Sequence, residues 1–150
     1  MTEACHLLGR DYDPGPYTRD QVVDILKGLC ALGPRMAVLT GVWLQVGSLG
    51  TACYDARTGE AELFLTDRIE GFYHGTGDLF ASALLGGLLN GACLKEACEI
   101  ATEFTWRTIE ITFEKSADHR FGPKFECHLP WLGEKMEACR KTVANPENLR

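Results

Sequence analysis

No Cys-x-x-Cys pair occurs in this chain, although it holds seven cysteines, at 5, 30, 53, 93, 98, 127 and 139. The paired short-range ligands of a structural zinc site are therefore missing, and only Cys127-His128 comes near one. The count is odd and Cys30, Cys53 and Cys98 lie in apolar runs, so buried free thiols in a reducing cytosol are expected. No apolar run reaches membrane-spanning length, and the opening "MTEACHLLGR" is too short and too polar for a secretory leader. These features predict a cytoplasmic protein with no membrane partner. There is no basic stripe: the net charge is -6, and the local cluster "HRFGPK" at 119–124 is only six residues long. A nucleic-acid partner is not expected of such a chain. Internal repeats and low-complexity segments are also absent. What remains is a soluble balance, 45% hydrophobic and 24% charged over 150 residues. That is enough for one domain with a real core.

The pattern along the chain mixes helix and strand. "TEACHLLG" reads as a short helix ended by Gly9, and "RDYDPGPY" as a loop broken by Pro14, Gly15 and Pro16. Thr18 is a good N-cap for a helix carrying Val22, Val23, Leu26, Leu29 and Cys30 at helical spacing. "MAVLTGV" at 36–42 suits a buried strand. "GTACYD" at 50–55 and "AELFLTD" at 61–67 read as two more, joined by a hairpin turn at "ARTGE". A helix then carries Leu79, Phe80, Ala83, Leu84, Gly87 and Leu88 on one face. Leu85 and Leu89 widen that face, which predicts a mostly buried helix ending at Asn90-Gly91. A second long helix runs from about 95 to 113 with Ala97, Ile100, Ala101, Phe104 and Ile109 inward. "EKSADHRFGPKFE" reads as a loop, "LGEKMEACRK" as a last short helix, and about 140–150 as a polar tail.

The segment with most chemistry in it is "YHGTGDLFASALLGGLLNG", 73–91, in which Gly75-Thr76-Gly77-Asp78 opens into the apolar helix. Glycine leaves backbone N–H groups accessible, and the first N–H groups of a helix have no intrahelical partner. With the helix dipole they make an anion site. A carboxylate in the same place suits phosphoryl transfer: the amides hold the developing charge and Asp78 accepts a proton from an attacking hydroxyl. The same four residues also fit a plain Asp-bearing helix start. They match neither the full P-loop nor the dinucleotide Gly-x-Gly-x-x-Gly pattern.

"HGTGDLFASALLGGLLNGACLKEACEIA" resembles the active-site segment of the ribokinase-like superfamily of small-molecule kinases, and within it the vitamin B6 kinases. The likeness runs from "TEA" at 2–4 to about 113, and more weakly to about 132. Sugar kinases of the superfamily more often have Ala in the second slot of the motif, and hydroxymethylpyrimidine kinases usually have Cys where Asp78 stands. The resemblance implies an α/β fold, the C-terminal part of a three-layer α/β/α sandwich built on a parallel sheet. It implies phosphorylation of the 5'-hydroxymethyl group of pyridoxal, pyridoxine or pyridoxamine by ATP. Asp78 then matches the catalytic base that also contacts the acceptor. Gly75, Thr76 and Gly77 match the anion hole, and Thr40 a strand-end residue touching ATP phosphates. Glu3 matches the Glu of an Asn-x-x-Glu motif that organises Mg²⁺ and phosphate, often through water. The stretch 65–74 borders the nucleotide, while His74 is expected to pack or face solvent.

B6 kinases are about twice this long, so the resemblance covers only their C-terminal half. The N-terminal half supplies the first strands of the sheet, most of the pyridoxal pocket and a metal-binding acidic residue. Met1, Thr2 and Glu3 fit the last three places of Asn-x-x-Glu. These points lead to the expectation of one partial kinase domain over 1–150, with an open sheet edge and no turnover on its own. A monovalent cation can accompany Mg²⁺ in such kinases, and a homodimer is a common assembly. Two other readings remain: a kinase for a hydroxymethylpyrimidine or a sugar, and a non-catalytic fragment.

Overall fold

A computed structural model describes residues 1–115 and 122–144, and the side chains as far as 141. The chain divides into two compact units, Met1–Arg68 and Ile69–Arg150.

The first unit packs two helices with a three-stranded sheet. Helix α1 spans Thr2–Leu7 and α2 Arg19–Ala31; strands β1, β2 and β3 span Met36–Val42, Ser48–Asp55 and Glu60–Asp67. Helix α2 starts where Thr18 predicts. The Thr18 hydroxyl accepts from the Gln21 N–H at 3.2 Å, and the Gln21 side chain accepts from the Thr18 N–H at 2.8 Å. This reciprocal cap is worth about 1 kcal/mol. Beyond it, Val22, Ile25 and Leu26 form one face of α2 and pack with Ala37, Leu39 and Val42 of β1 and Ala52 of β2.

The sheet order is β1-β2-β3, and both neighbouring pairs are antiparallel. The hairpin expected at "ARTGE" is present, whereas the parallel sheet that the resemblance implies is not the arrangement of these three strands. The connections 43–47 and 56–59 are too short for the crossover that parallel neighbours need. Along β1, Ala37 and Leu39 face the core with period two. The register then shifts between Thr40 and Val42, where Gly41 has φ +70°. The extra residue of this bulge returns Val42, not residue 41, to the buried face. Thr40, directly before the bulge, is exposed on the other face, where the alternation places it.

The second unit is helical among its described residues: α3 is Thr76–Leu89, α4 Leu94–Lys115 and α5 Leu129–Ala144, with a 3₁₀ turn over Phe125–His128. The four-residue link 90–93 returns α4 against α3. Phe80, Ala83 and Gly87 are the buried positions of α3. A Cβ on Gly87 would meet the Cβ of Ala97 at 3.0 Å, so the bare backbone lets the two helices approach closely. The expected wide buried face of α3 is narrower than predicted, because Leu85 is 56% and Leu89 77% exposed. Helix α5 is longer than predicted. Positions 140–144 of the expected tail are helical, and 145–150 lie outside the described residues, as do 116–121 of the expected loop. Arg140 donates to the Asn90 side-chain oxygen at 2.6 and 3.1 Å, and the Arg107 guanidinium lies 5.0 Å from the centre of the Trp131 ring. These contacts tie α5 to the end of α3 and the middle of α4.

Of the seven cysteines, Cys5, Cys53 and Cys98 are buried. Cys30 and Cys139 are half-buried and Cys93 and Cys127 exposed. Burial, then the nearby Asp55 charge, pushes the Cys30 thiol above its usual range. No helix among the described residues is long and apolar enough to cross a membrane.

Candidate active site

The turn into α3 is built by a tight loop. Gly71 has φ +127°, and a Cβ there would meet the Tyr73 ring at 3.0 Å. The Tyr73 hydroxyl donates to the Glu70 carbonyl at 3.0 Å, and the Thr76 hydroxyl donates to the Tyr73 carbonyl at 3.1 Å. Thr76 therefore holds the loop with its side chain, and only its backbone is available to an anion. His74 is exposed and stacks edge-on with Phe72 at 4.9 Å, as packing or solvent-facing behaviour predicts.

Gly75 is the N-cap, in the left-handed region at φ +84° and ψ 0°. Gly77, two positions on, has an ordinary φ, so Gly75 alone is the left-handed residue of the motif. The first intrahelical bond runs from the Leu79 N–H to the Gly75 carbonyl at 3.0 Å. The N–H groups of Thr76, Gly77 and Asp78 precede it, and no side chain caps them. Around Gly77, the space a Cβ would enter has no atom within 4 Å. Asp78, in the first turn, is exposed. A carboxylate and three unpaired amides therefore share one helix start, a donor set for a phosphoryl group beside an acceptor for a proton.

A cavity of about 590 Å³ opens beside Asp78. His74, Gly75, Asp78 and Ser82 lie along its polar border, and Phe104, Leu132 and Met136 are among its apolar walls. The sequence reading missed the α5 wall. Its signal was Leu129, Leu132 and Met136 at helical spacing, which periodicity alone cannot tell from ordinary core packing.

Glu3 and Thr40 belong to the first unit and Gly75–Asp78 to the second. Within the first unit the backbone nitrogen of Met1 lies 3.5 Å from the Thr40 carbonyl oxygen and 3.8 Å from Oε2 of Glu3. The Glu3 side chain is 90% exposed and free to turn toward a hydrated ion. No group of three or more His, Cys, Asp or Glu able to hold a metal exists among the described residues. Such a donor set suits Mg²⁺ only in its usual nucleotide-bound form, with most ligands from phosphate and water and few from protein.

Comparison with known proteins gives the family. The phosphomethylpyrimidine kinase family matches residues 1–123, and the chain belongs to that family. It is 33% identical over 115 residues to pyridoxine kinase of Bacillus subtilis strain 168, which covers 75% of this chain and 41% of that protein. Among solved structures, a candidate phosphomethylpyrimidine kinase from Bacteroides thetaiotaomicron superposes with a TM-score of 0.82 at 28% identity, over 88% of this chain and 45% of its own. A second crystal form of that protein contains pyridoxal. Pyridoxal kinase of Lactobacillus plantarum gives 0.73 at 26% identity, over 91% of this chain and 47% of its own. The chain thus spans less than half the length of these relatives. Its α/β architecture is theirs.

Proposed function

We propose that the chain carries the phosphate-binding and proton-accepting part of a kinase that transfers the γ-phosphoryl group of ATP to the 5'-hydroxymethyl group of pyridoxal, pyridoxine or pyridoxamine. The observation that carries this reading is the shared helix start: the Asp78 carboxylate beside the unpaired amides of Thr76, Gly77 and Asp78, with open space at Gly77. The pyridoxine kinase relative and the pyridoxal-containing crystal form support the acceptor class.

In this reading the amides face the phosphoryl oxygens, where charge is spread during transfer. Asp78 takes the proton of the acceptor hydroxyl as that oxygen bonds to phosphorus. The bond to the bridging oxygen of ADP breaks in line with it. By the resemblance, Thr40 would contact the phosphates and Glu3 would help hold Mg²⁺, and the ion would neutralise phosphate charge. A monovalent cation would serve the same charge balance.

The test uses a chimera of the Bacillus subtilis pyridoxine kinase whose matched segment is replaced by this chain. Asp78→Asn should lower kcat for pyridoxal about 100-fold or more while leaving ATP affinity nearly unchanged. Near-full turnover by the variant would remove Asp78 from the base role. The family match favours one rival acceptor, a hydroxymethylpyrimidine. A preference for it over pyridoxal in the same chimera would replace the B6 assignment.

A further inference from the structure

Helix α5 lies against α3 and α4 without a single buried residue among its described side chains. Three contacts fix how it lies. The Trp131 ring meets the Arg107 guanidinium of α4 at 5.0 Å. A Cβ on Gly86 of α3 would come within 3.5 Å of the Met136 side chain, and Arg140 donates to the Asn90 side-chain oxygen at 2.6 Å. Residue numbers thus rise together along α3 and α5, and α5 runs antiparallel to α4. Leu132, Met136 and Cys139 recur at helical spacing as the half-buried inner stripe of α5. From Trp131 to Cys139 is about 12 Å of helix. The same length back along α4 from Arg107 reaches its first two turns. There Glu96 accepts from the Cys93 N–H at 3.0 Å, and Cys93 itself is exposed. Burial, then the Glu96 carboxylate and, less strongly, Cys93 push the Cys139 thiol above its usual range. Two thiols from segments far apart in the chain therefore stand close together where the end of α5 crosses the link before α4.

We propose that Cys93 and Cys139 form a reversible disulfide that latches α5 to the start of α4. A thiol–disulfide switch needs an accessible attacking thiol and a second one near it that resolves the first product. Cys93 is the attacker. Its thiolate bonds to one sulfur of a small-molecule disulfide, and the other half leaves as a thiolate, which takes up a proton. Cys139 then gives up its proton to solvent and attacks the Cys93 sulfur, and the second small thiol leaves. Two protein thiols are oxidised, and one external disulfide is reduced to two thiols. Closure needs the two Cα atoms within about 7 Å of each other, and a helix with no buried side chain has the freedom to settle there. Leu132 and Met136, walls of the cavity beside Asp78, belong to the same helix, so the latch holds them in place. Disulfides of this kind in reducing compartments are transient and redox-sensing.

The test treats the 150-residue chain with oxidised glutathione. Its intact mass should fall by two hydrogens, with a peptide map linking Cys93 to Cys139, and dithiothreitol should reverse the change. Cys139→Ser should stop at a glutathione adduct on Cys93, whereas Cys127→Ser should close as the unaltered chain does. Amide hydrogen exchange across α5 should slow about tenfold or more on closure. The peptide map does not depend on any variant folding. A lasting glutathione adduct on Cys93 of the unaltered chain, a bond between two chains, a link to any other cysteine, or unchanged exchange in α5 would each overturn the proposal. None of these readouts requires phosphoryl transfer, so they leave the kinase reading to its own test.

Discussion

Two glycines two positions apart do different work at the start of α3, and substitution should separate them. Gly75 sits at φ +84°, where a side chain is strained whatever the space around it. Gly75→Ala should cost about 1–2 kcal/mol of stability, read as a lowered thermal midpoint. Gly77 has an ordinary φ and open space, so Gly77→Val should change the midpoint far less. Its branched side chain would instead stand where the anion is proposed to rest. We expect ATP affinity, measured by calorimetry on the chain, to fall several-fold or more. Unchanged affinity in Gly77→Val would take the anion site away from this turn. Periodicity and glycine content made the helix start legible. They could not say which glycine was left-handed, because that depends on how Tyr73 and Thr76 fold the loop back on itself.

At the level of elements, the β2–β3 hairpin depends on another bare backbone. Gly50 pairs across from Val42 on one side and Leu65 on the other. A Cβ there would overlap the Phe64 carbonyl oxygen and come within 2.9 Å of the Leu65 Cα. Both are backbone atoms that cannot turn aside. Gly50→Ala should therefore destabilise the first unit by about 1–3 kcal/mol and broaden the amide signals of β3. Wild-type-like stability would mean that the two strands separate there at little cost. The strands themselves were readable from apolar runs and from the turn at "ARTGE". That hairpin turn already made β2 and β3 antiparallel, whereas the direction of β1 against β2 was not legible and the short connection 43–47 decides it. The exposure of Leu85 and Leu89 was likewise invisible to a helical wheel. Apolar character around α3 states how much surface asks for cover, while the close Gly87–Ala97 contact fixes which side receives it.

For the molecule as a whole, catalysis by positioning needs both substrates held in line. This chain brings the Gly75–Asp78 turn, Thr40 and Glu3, but spans less than half the length of its relatives. The chain alone should bind Mg·ATP weakly and form no measurable pyridoxal 5'-phosphate by absorbance. Together with the unmatched part of a relative it should gain activity. Robust turnover by the 150 residues alone would show that the acceptor fits within them, with the cavity beside Asp78 as its place. One partial domain over 1–150 is the sequence expectation, and recovery of a single cooperative transition in the complex would support it.

The sequence by itself determined the local terms. Thr18 with Gln21 sets where α2 begins, the run 36–42 makes a strand, and Gly-Thr-Gly-Asp ahead of an apolar stretch places free amides and a carboxylate at one helix start. These outcomes follow from propensities and capping, which act over a few residues. The tertiary structure alone decided what depends on distant neighbours. The antiparallel sheet leaves β1 uncharged at an edge. The bulge at Gly41 brings Val42 back to the core. Helix α5, tied by Arg140 to Asn90, supplies apolar walls to the cavity beside Asp78. Such features arise from packing between segments far apart in the chain, and no short window of sequence contains both partners.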